Sequence, residues 1–215
     1  MISIQNFAKT YNKKHIIKHS SFKIPQNQIT FLMGENGAGK TTFIKCVTGL
    51  EKCEGEVTFT QGKDCFVVWD DPPFYQNLSG VDNLLILGDS KLTKKEVIHN
   101  SQKYVGNALL KRKVKHYSYG QKKKLSLALV ALLRPKYLIM DEISNGLDFQ
   151  FSKELKKIVL DLSKETTILL TGHQYDFYND IIDNLLVFED KKIVMLEKNF
   201  KSEKKKLETI YDSLY

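Results

Sequence analysis

Continuous apolar runs, each about one strand long, recur along the chain and stop at sharp polar breaks. Ile29-Thr30-Phe31-Leu32-Met33 ends at Gly34, and Cys65-Phe66-Val67-Val68-Trp69 ends at Asp70-Asp71-Pro72-Pro73. Tyr137-Leu138-Ile139-Met140 ends at Asp141, and Thr167-Ile168-Leu169-Leu170 at Thr171-Gly172-His173. Such runs are expected of strands buried on both faces, as in a parallel sheet covered by helices. Near the start the pattern alternates instead. Ile2-Ser3-Ile4, His15-Ile16-Ile17 and Ser21-Phe22-Lys23-Ile24 read as paired strands, followed by a turn at Pro25-Gln26-Asn27. Glu56-Val57-Thr58-Phe59 reads as a further strand and Ile193-Val194-Met195 as a short late one.

Helical spacing fills the gaps between the runs. A helix is expected over Phe43-Ile44-Lys45-Cys46-Val47, and helical apolar spacing runs from Val81 to about Leu110. Ser118 is a good N-cap for an amphipathic helix ending near Leu133, and another helix covers about Gln150 to Leu162. Strands alternating with helices predict an α/β fold. Its sheet is mostly parallel, its site lies at the strands' C-terminal ends, and it carries an N-terminal antiparallel β subdomain and a helical insertion. The expected organisation is one domain over 1–215: a core from 1–69 and 134–200, a helical part at about 72–133 and a charged tail at 201–215.

The loop after the first apolar run brings in the chemistry. Gly34-Glu35-Asn36-Gly37-Ala38-Gly39-Lys40-Thr41-Thr42 fits G-x-x-x-x-G-K-[ST], the phosphate-binding loop of P-loop nucleotidases. Glycines let the backbone curl so that its N–H groups face phosphate oxygens, and the following helix points its positive end at the same spot. Lys40 can reach the β- and γ-phosphates, and the Thr41 hydroxyl can ligate Mg²⁺. The setting of strand, loop and helix is the one the motif requires.

Asp141-Glu142 follows a buried strand about a hundred residues later. Asp141 can hold the Mg²⁺ shell, and Glu142, past the strand's end, can polarise the attacking water as a general base. His173 closes another strand, where an imidazole can hydrogen-bond the γ-phosphate. Ser118-Tyr119-Gly120-Gln121 opens a helix whose N-terminus is an anion site in its own right. Tyr11, on what reads as an exposed turn between the first two strands, either stacks on a nucleobase or simply packs at the surface.

Together these residues resemble the ATP-binding subunit of an ABC transporter, from Tyr11 to about Ile193. Residues 34–42 match the Walker A loop, 137–142 the Walker B strand and 117–121 the signature motif. Ser144-Asn145-Gly146-Leu147-Asp148 looks like the D-loop, His173 like the switch histidine, and Tyr11 like the adenine-stacking aromatic. The resemblance implies ATP and Mg²⁺ as cofactors and a head-to-tail dimer, homodimer or heterodimer. In such a dimer Ser118, Gly120, Gln121 and Asp148 of one subunit cover the ATP on the other's loop. It also implies separately encoded membrane-spanning subunits, of the short exporter type, to which ATP-driven closure is passed near Asp70 and the helical insertion.

Three positions depart from the family pattern. Tyr119 replaces the first glycine of Leu-Ser-Gly-Gly-Gln and adds a side chain where a neighbouring subunit must approach a phosphate, which predicts tuned or reduced activity. Asp70 occupies the place of the Q-loop glutamine, where a carboxylate can still approach Mg²⁺ but carries charge. Ile143 stands where proline is common.

Composition narrows the alternatives. Of 215 residues, 42% are hydrophobic and 27% charged, as in a soluble globular protein. The longest apolar stretch, from Leu125 to Leu133, is too short for a membrane span. The chain opens on strand-like alternation with no signal-peptide pattern, and Cys46, Cys53 and Cys65 are widely spaced and lack a metal-ligand pattern. These features predict the cytoplasm, and the resemblance implies a place peripheral on the membrane's cytoplasmic face. A net charge of +8 permits an anionic partner, but the lysine runs at 122–124 and 204–206 carry no interleaved aromatics and read as solvated surface. A soluble ABC-type ATPase acting on nucleic acid or ribosomes is the main alternative. Such proteins usually carry two domains or long coiled-coil insertions, and this chain has neither, so nucleic acid is not the expected partner. A degenerate regulatory subunit of a heterodimer, with Tyr119 as its mark, is the other alternative.

Overall fold

The computed structural model describes residues 1–202 and 205–215; positions 203 and 204, within the charged tail, lie outside the described residues. The alternating N-terminal stretch forms β1 (Ile2–Tyr11) and β2 (Lys14–Ile24), which join β4 (Glu54–Phe59) in a three-stranded antiparallel sheet ordered β2-β1-β4. The segments read as two separate strands at 15–17 and 21–24 are one, because register shifts let β2 follow β1 past its irregularities. Tyr11 is the last residue of β1, at the turn's edge.

The apolar runs form the larger sheet. Its order is β5 (Cys65–Val68), β6 (Tyr137–Met140), β7 (Thr167–Thr171), β3 (Ile29–Met33), β8 (Asn184–Glu189), β9 (Lys192–Lys198). All neighbours are parallel except β8 and β9, a hairpin. Every residue of β3, β6 and β7 is buried, as expected of interior strands. β5 departs from that expectation. It is the sheet's edge strand, and Cys65, Phe66 and Val67 are only half-buried.

Alternation along the interior strands sorts their side chains onto two faces. Phe31, Met33, Leu138, Met140, Ile168 and Leu170 face one way, onto α6 (Phe149–Leu162) through Phe151, Leu155 and Val159. Full burial of each such side chain contributes roughly 1.5–3 kcal/mol. Leu32, Tyr137, Ile139, Leu169 and Leu186 face the other way, onto α1 (Lys40–Thr48) and the antiparallel sheet. There the Phe7 and Phe43 rings meet edge to face, 5.2 Å apart.

The insertion gathers around its own core. α2 (Gly80–Leu87), α3 (Lys94–Ser101), α4 (Asn107–Leu110) and α5 (Tyr119–Leu133) enclose Leu84, Val97, Leu110, Leu125 and Leu129. Short α7 (Tyr175–Tyr178) follows His173, and α8 (Leu207–Leu214) docks on it, with the Tyr175 and Tyr211 rings 5.2 Å apart and tilted by 41°. Among the described residues no helix is long and apolar enough to cross a membrane.

Candidate active site

Sheet register assembles the site before side chains enter. Leu32 of β3 pairs with Thr171 of β7, and Met140 of β6 with Leu170, so the segments leaving these three strands emerge side by side. They are the phosphate loop, Asp141-Glu142 and Gly172-His173.

In the loop, Gly37 and Gly39 hold φ values of 78° and 115°, left-handed conformations that a Cβ would strain. They turn the chain directly into α1, which therefore begins at Lys40, three residues before the apolar pattern becomes helical. The first helical bond runs from the Phe43 N–H to the Gly39 carbonyl (2.8 Å), leaving the amides of Lys40, Thr41 and Thr42 without an intrahelical partner. No side chain caps this end of α1. An uncapped helix N-terminus behind a left-handed loop fits a polyphosphate. Glu35, Asn36, Gly37 and Ala38 line a cleft of about 560 Å³ that is also walled by Lys14, Ile16 and Phe188.

Lys40 is buried, and its ammonium donates to the Gly34 and Glu35 carbonyls at 2.8 and 3.0 Å. Burial lowers its pKa, against the pull of Glu142 and Asp141. Asp141 accepts the Thr171 hydroxyl at 2.5 Å and the Thr41 hydroxyl at 3.2 Å; burial pushes its pKa up, and these two bonds oppose that. Thr41 and Asp141 thus form an all-oxygen pair beside the helix end, a donor set suited to a hard divalent cation.

Glu142 is a non-glycine residue at φ 53°. Its Oε2 accepts from Asn145 Nδ2 at 2.5 Å, and its Oε1 lies 3.4 Å from His173 Nε2, which is also 3.4 Å from the Lys40 ammonium. Burial first, then Lys40, lowers the His173 pKa against the pull of Glu142, a shift that favours the neutral imidazole. A half-buried carboxylate at this spot can take a proton from water, and a neutral imidazole can hydrogen-bond a phosphate oxygen.

A second set of predicted residues lies elsewhere. Ser118 caps α5 in a reciprocal box: its Oγ accepts from the Gln121 N–H (3.3 Å), while Gln121 Oε1 accepts from the Ser118 N–H (2.9 Å). Asp148 caps α6, accepting from the Phe151 N–H at 2.8 Å. Ser118, Gly120, Gln121 and Asp148 line one surface cleft of about 360 Å³, which no residue of the phosphate loop lines. Tyr11 is 39% exposed, with its hydroxyl on Glu51 and the Lys9 ammonium 4.5 Å from its ring. One face of that ring is taken.

Asp70 bonds to Tyr119, Lys123 and Asn145. The Tyr119 ring turns inward, and a Cβ placed on Gly146 would lie 2.8 Å from it. Sequence reasoning missed Lys123, which is 0% exposed although it sits in the run taken as solvated. The available signal was helical spacing, since Lys123 shares a face with buried Leu127 and Val130. Glu51, which holds the Tyr11 hydroxyl, carried no signal, because it lies forty residues along the chain.

Phosphate loop, oxygen pair, carboxylate and histidine at the ends of a parallel sheet define a nucleoside-triphosphate hydrolase. Residues 17–145 match the ABC transporter family, and the chain belongs to it. It is an ATP-binding subunit and an ATP hydrolase of that family. The chain is 34% identical to the lantibiotic transport ATP-binding protein SrtF of Streptococcus pyogenes, over 93% of this chain and 91% of that protein. It is 30% identical to the bacitracin transport ATP-binding protein BcrA of Bacillus licheniformis, over 90% of this chain and 68% of that one. Among solved structures it superposes on an ATP-binding subunit of an ABC transporter with a TM-score of 0.87 at 20% identity, covering 100% of this chain and 99% of that one. It also superposes on cbiO1 of Clostridium perfringens with a TM-score of 0.77 at 24% identity, covering 94% and 89%. The structural likenesses support the fold.

Proposed function

We propose that this chain powers transport of a peptide antibiotic of the lantibiotic or bacitracin kind, through separately encoded membrane-spanning subunits, from the cytoplasmic face of the membrane. The names of its relatives support the cargo. The separation of its two predicted half-sites supports a head-to-tail dimer, and this observation carries the proposal: Ser118, Gly120, Gln121 and Asp148 share a cleft away from the loop they would serve. In the dimer Ser118 and its neighbours cover the γ-phosphate held by the other copy's Lys40.

Within each copy, the amides of 36–42 and the Lys40 ammonium bind the phosphates, and Tyr11 stacks the base on its open ring face. Thr41 and Asp141, with Asp70 nearer the helical part, would hold Mg²⁺, which would supply neutralisation of phosphate charge. Glu142 accepts the proton of the attacking water, and His173 hydrogen-bonds the γ-phosphate. The helical part at 72–133 packs against the core through α5. An apolar cleft of about 360 Å³ between them, lined by Leu50, Trp69, Pro73, Phe74, Leu87 and Leu129, receives the membrane subunit.

A mixing experiment tests the dimer. Lys40→Met and Ser118→Arg chains should each hydrolyse ATP poorly, and hydrolysis should return when they are combined, because one composite site is then intact. No recovery, with both variants folded and associating, would show that each site is completed within one copy. Tyr11→Ala should weaken ATP binding about tenfold while leaving competition by inorganic tripolyphosphate unchanged, as measured by displacement of a fluorescent ATP analogue.

A further inference from the structure

A lysine wholly removed from water needs a reason, since an unpaired buried ammonium is among the costliest groups a fold can hold. The three N–H bonds of Lys123 find three convergent carbonyls: Glu142 at 2.8 Å, Asn145 at 3.0 Å and Ile143 at 3.1 Å. Its counter-charge is Asp70 Oδ1, 3.4 Å away. The Tyr119 ring lies 4.5 Å from the same ammonium, and its hydroxyl bonds the same Asp70 oxygen. The ring also lies against Gly146, at φ 64°, where a side chain would collide with it. Two residues of α5 therefore grip one turn, 142–146, by its carbonyls and by its glycine.

That turn carries Glu142 at its left-handed φ of 53° and closes on itself through the Asn145 N–H, which donates to the Glu142 carbonyl at 3.1 Å. The helix that grips it carries Ser118 at its N-terminus. Asn145 bridges the two ends, reaching both Glu142 Oε2 and Asp70 Oδ1.

We propose that Lys123 is a positioning residue for hydrolysis. By holding three carbonyls of the 142–146 turn it aims the Glu142 carboxylate, and it ties that turn rigidly to the helix bearing Ser118. Closure of Ser118 on a second copy's nucleotide and placement of this copy's own base thereby become one mechanical event. The inference rests on the proposed roles of Glu142 and Ser118, and adds a residue that neither role requires.

Lys123→Gln removes the charge and one donor. Lys123→Arg keeps the charge, and with it the fold, but offers a planar fork where three carbonyls converge on one nitrogen. Measured without Mg²⁺, both folded variants should bind ATP within about twofold of the parent, since Lys123 touches no part of the phosphate loop and its partner Asp70 would act only through the metal, while kcat with Mg²⁺ falls about ten- to a hundredfold. Hydrogen exchange of the nucleotide-free chain should quicken across 142–148 and stay unchanged in β3. A merely structural role would lower the melting temperature of both variants yet leave kcat per folded molecule and exchange at the turn as they were, and that outcome would overturn the proposal. Glu142→Gln measured in parallel separates the two claims: parental turnover there would remove the underlying reading, whereas its loss beside parental turnover in both Lys123 variants would sink this inference alone.

Discussion

A Glu142→Gln chain is expected to bind ATP as the parent does and to hydrolyse it about a hundred- to ten-thousandfold more slowly. The substitution is nearly isosteric. It keeps one oxygen able to accept from Asn145 Nδ2 and leaves the turn held by Lys123 untouched. What it loses is basicity, because an amide cannot take the proton of an attacking water. Binding and chemistry should therefore separate: equilibrium titration with ATP unchanged, single-turnover hydrolysis nearly abolished, and a closed dimer accumulating on size exclusion when ATP is present. Turnover at the parental rate would show that another group accepts the proton.

Removing the Lys40 ammonium should act on the other half of the reaction. Lys40→Met loses a charge-assisted bond to phosphate, and hydrogen bonds to charged groups contribute about 1.5–3 kcal/mol, so the Kd for ATP should rise about ten- to a hundredfold. The effect should grow with phosphate number, largest for ATP, smaller for ADP and absent for adenosine, which carries no phosphate for the ammonium to meet. The ammonium donates to the Gly34 and Glu35 carbonyls, so the loop is shaped around a cation. Calorimetric titration across the three ligands checks the gradient. An equal loss for adenosine would mean that the variant had unfolded the loop, and no loss for ATP would remove Lys40 from the site.

Much of this was open to reading in the chain. Buried strands β3, β6 and β7 showed as uninterrupted apolar runs because interior strands of a parallel sheet have no solvent face. Ser118 was legible as a cap because its partner, Gln121, is three residues away. β5 was read as interior from the same kind of run. It lies at the sheet's edge, where Cys65, Phe66 and Val67 border the apolar cleft between core and helices. A strand's hydrophobicity does not say whether its neighbour is another strand or an open groove.

Lysines 122 to 124 mark the boundary most sharply. By composition they are alike; in the structure Lys122 pairs with Asp71, Lys124 lies over the Phe151 ring, and Lys123 is buried. The sequence by itself determined the chemistry of the phosphate loop, the alternation of strands and helices and the family, because each is written in neighbours or in a fixed spacing. Only the tertiary structure decided the inward turn of Tyr119, the three-carbonyl seat of Lys123 and the separation of Ser118 from the loop. Those depend on where α5 crosses a turn some twenty residues further along, and side chains that distant in sequence meet only when the sheet and the helical part pack together.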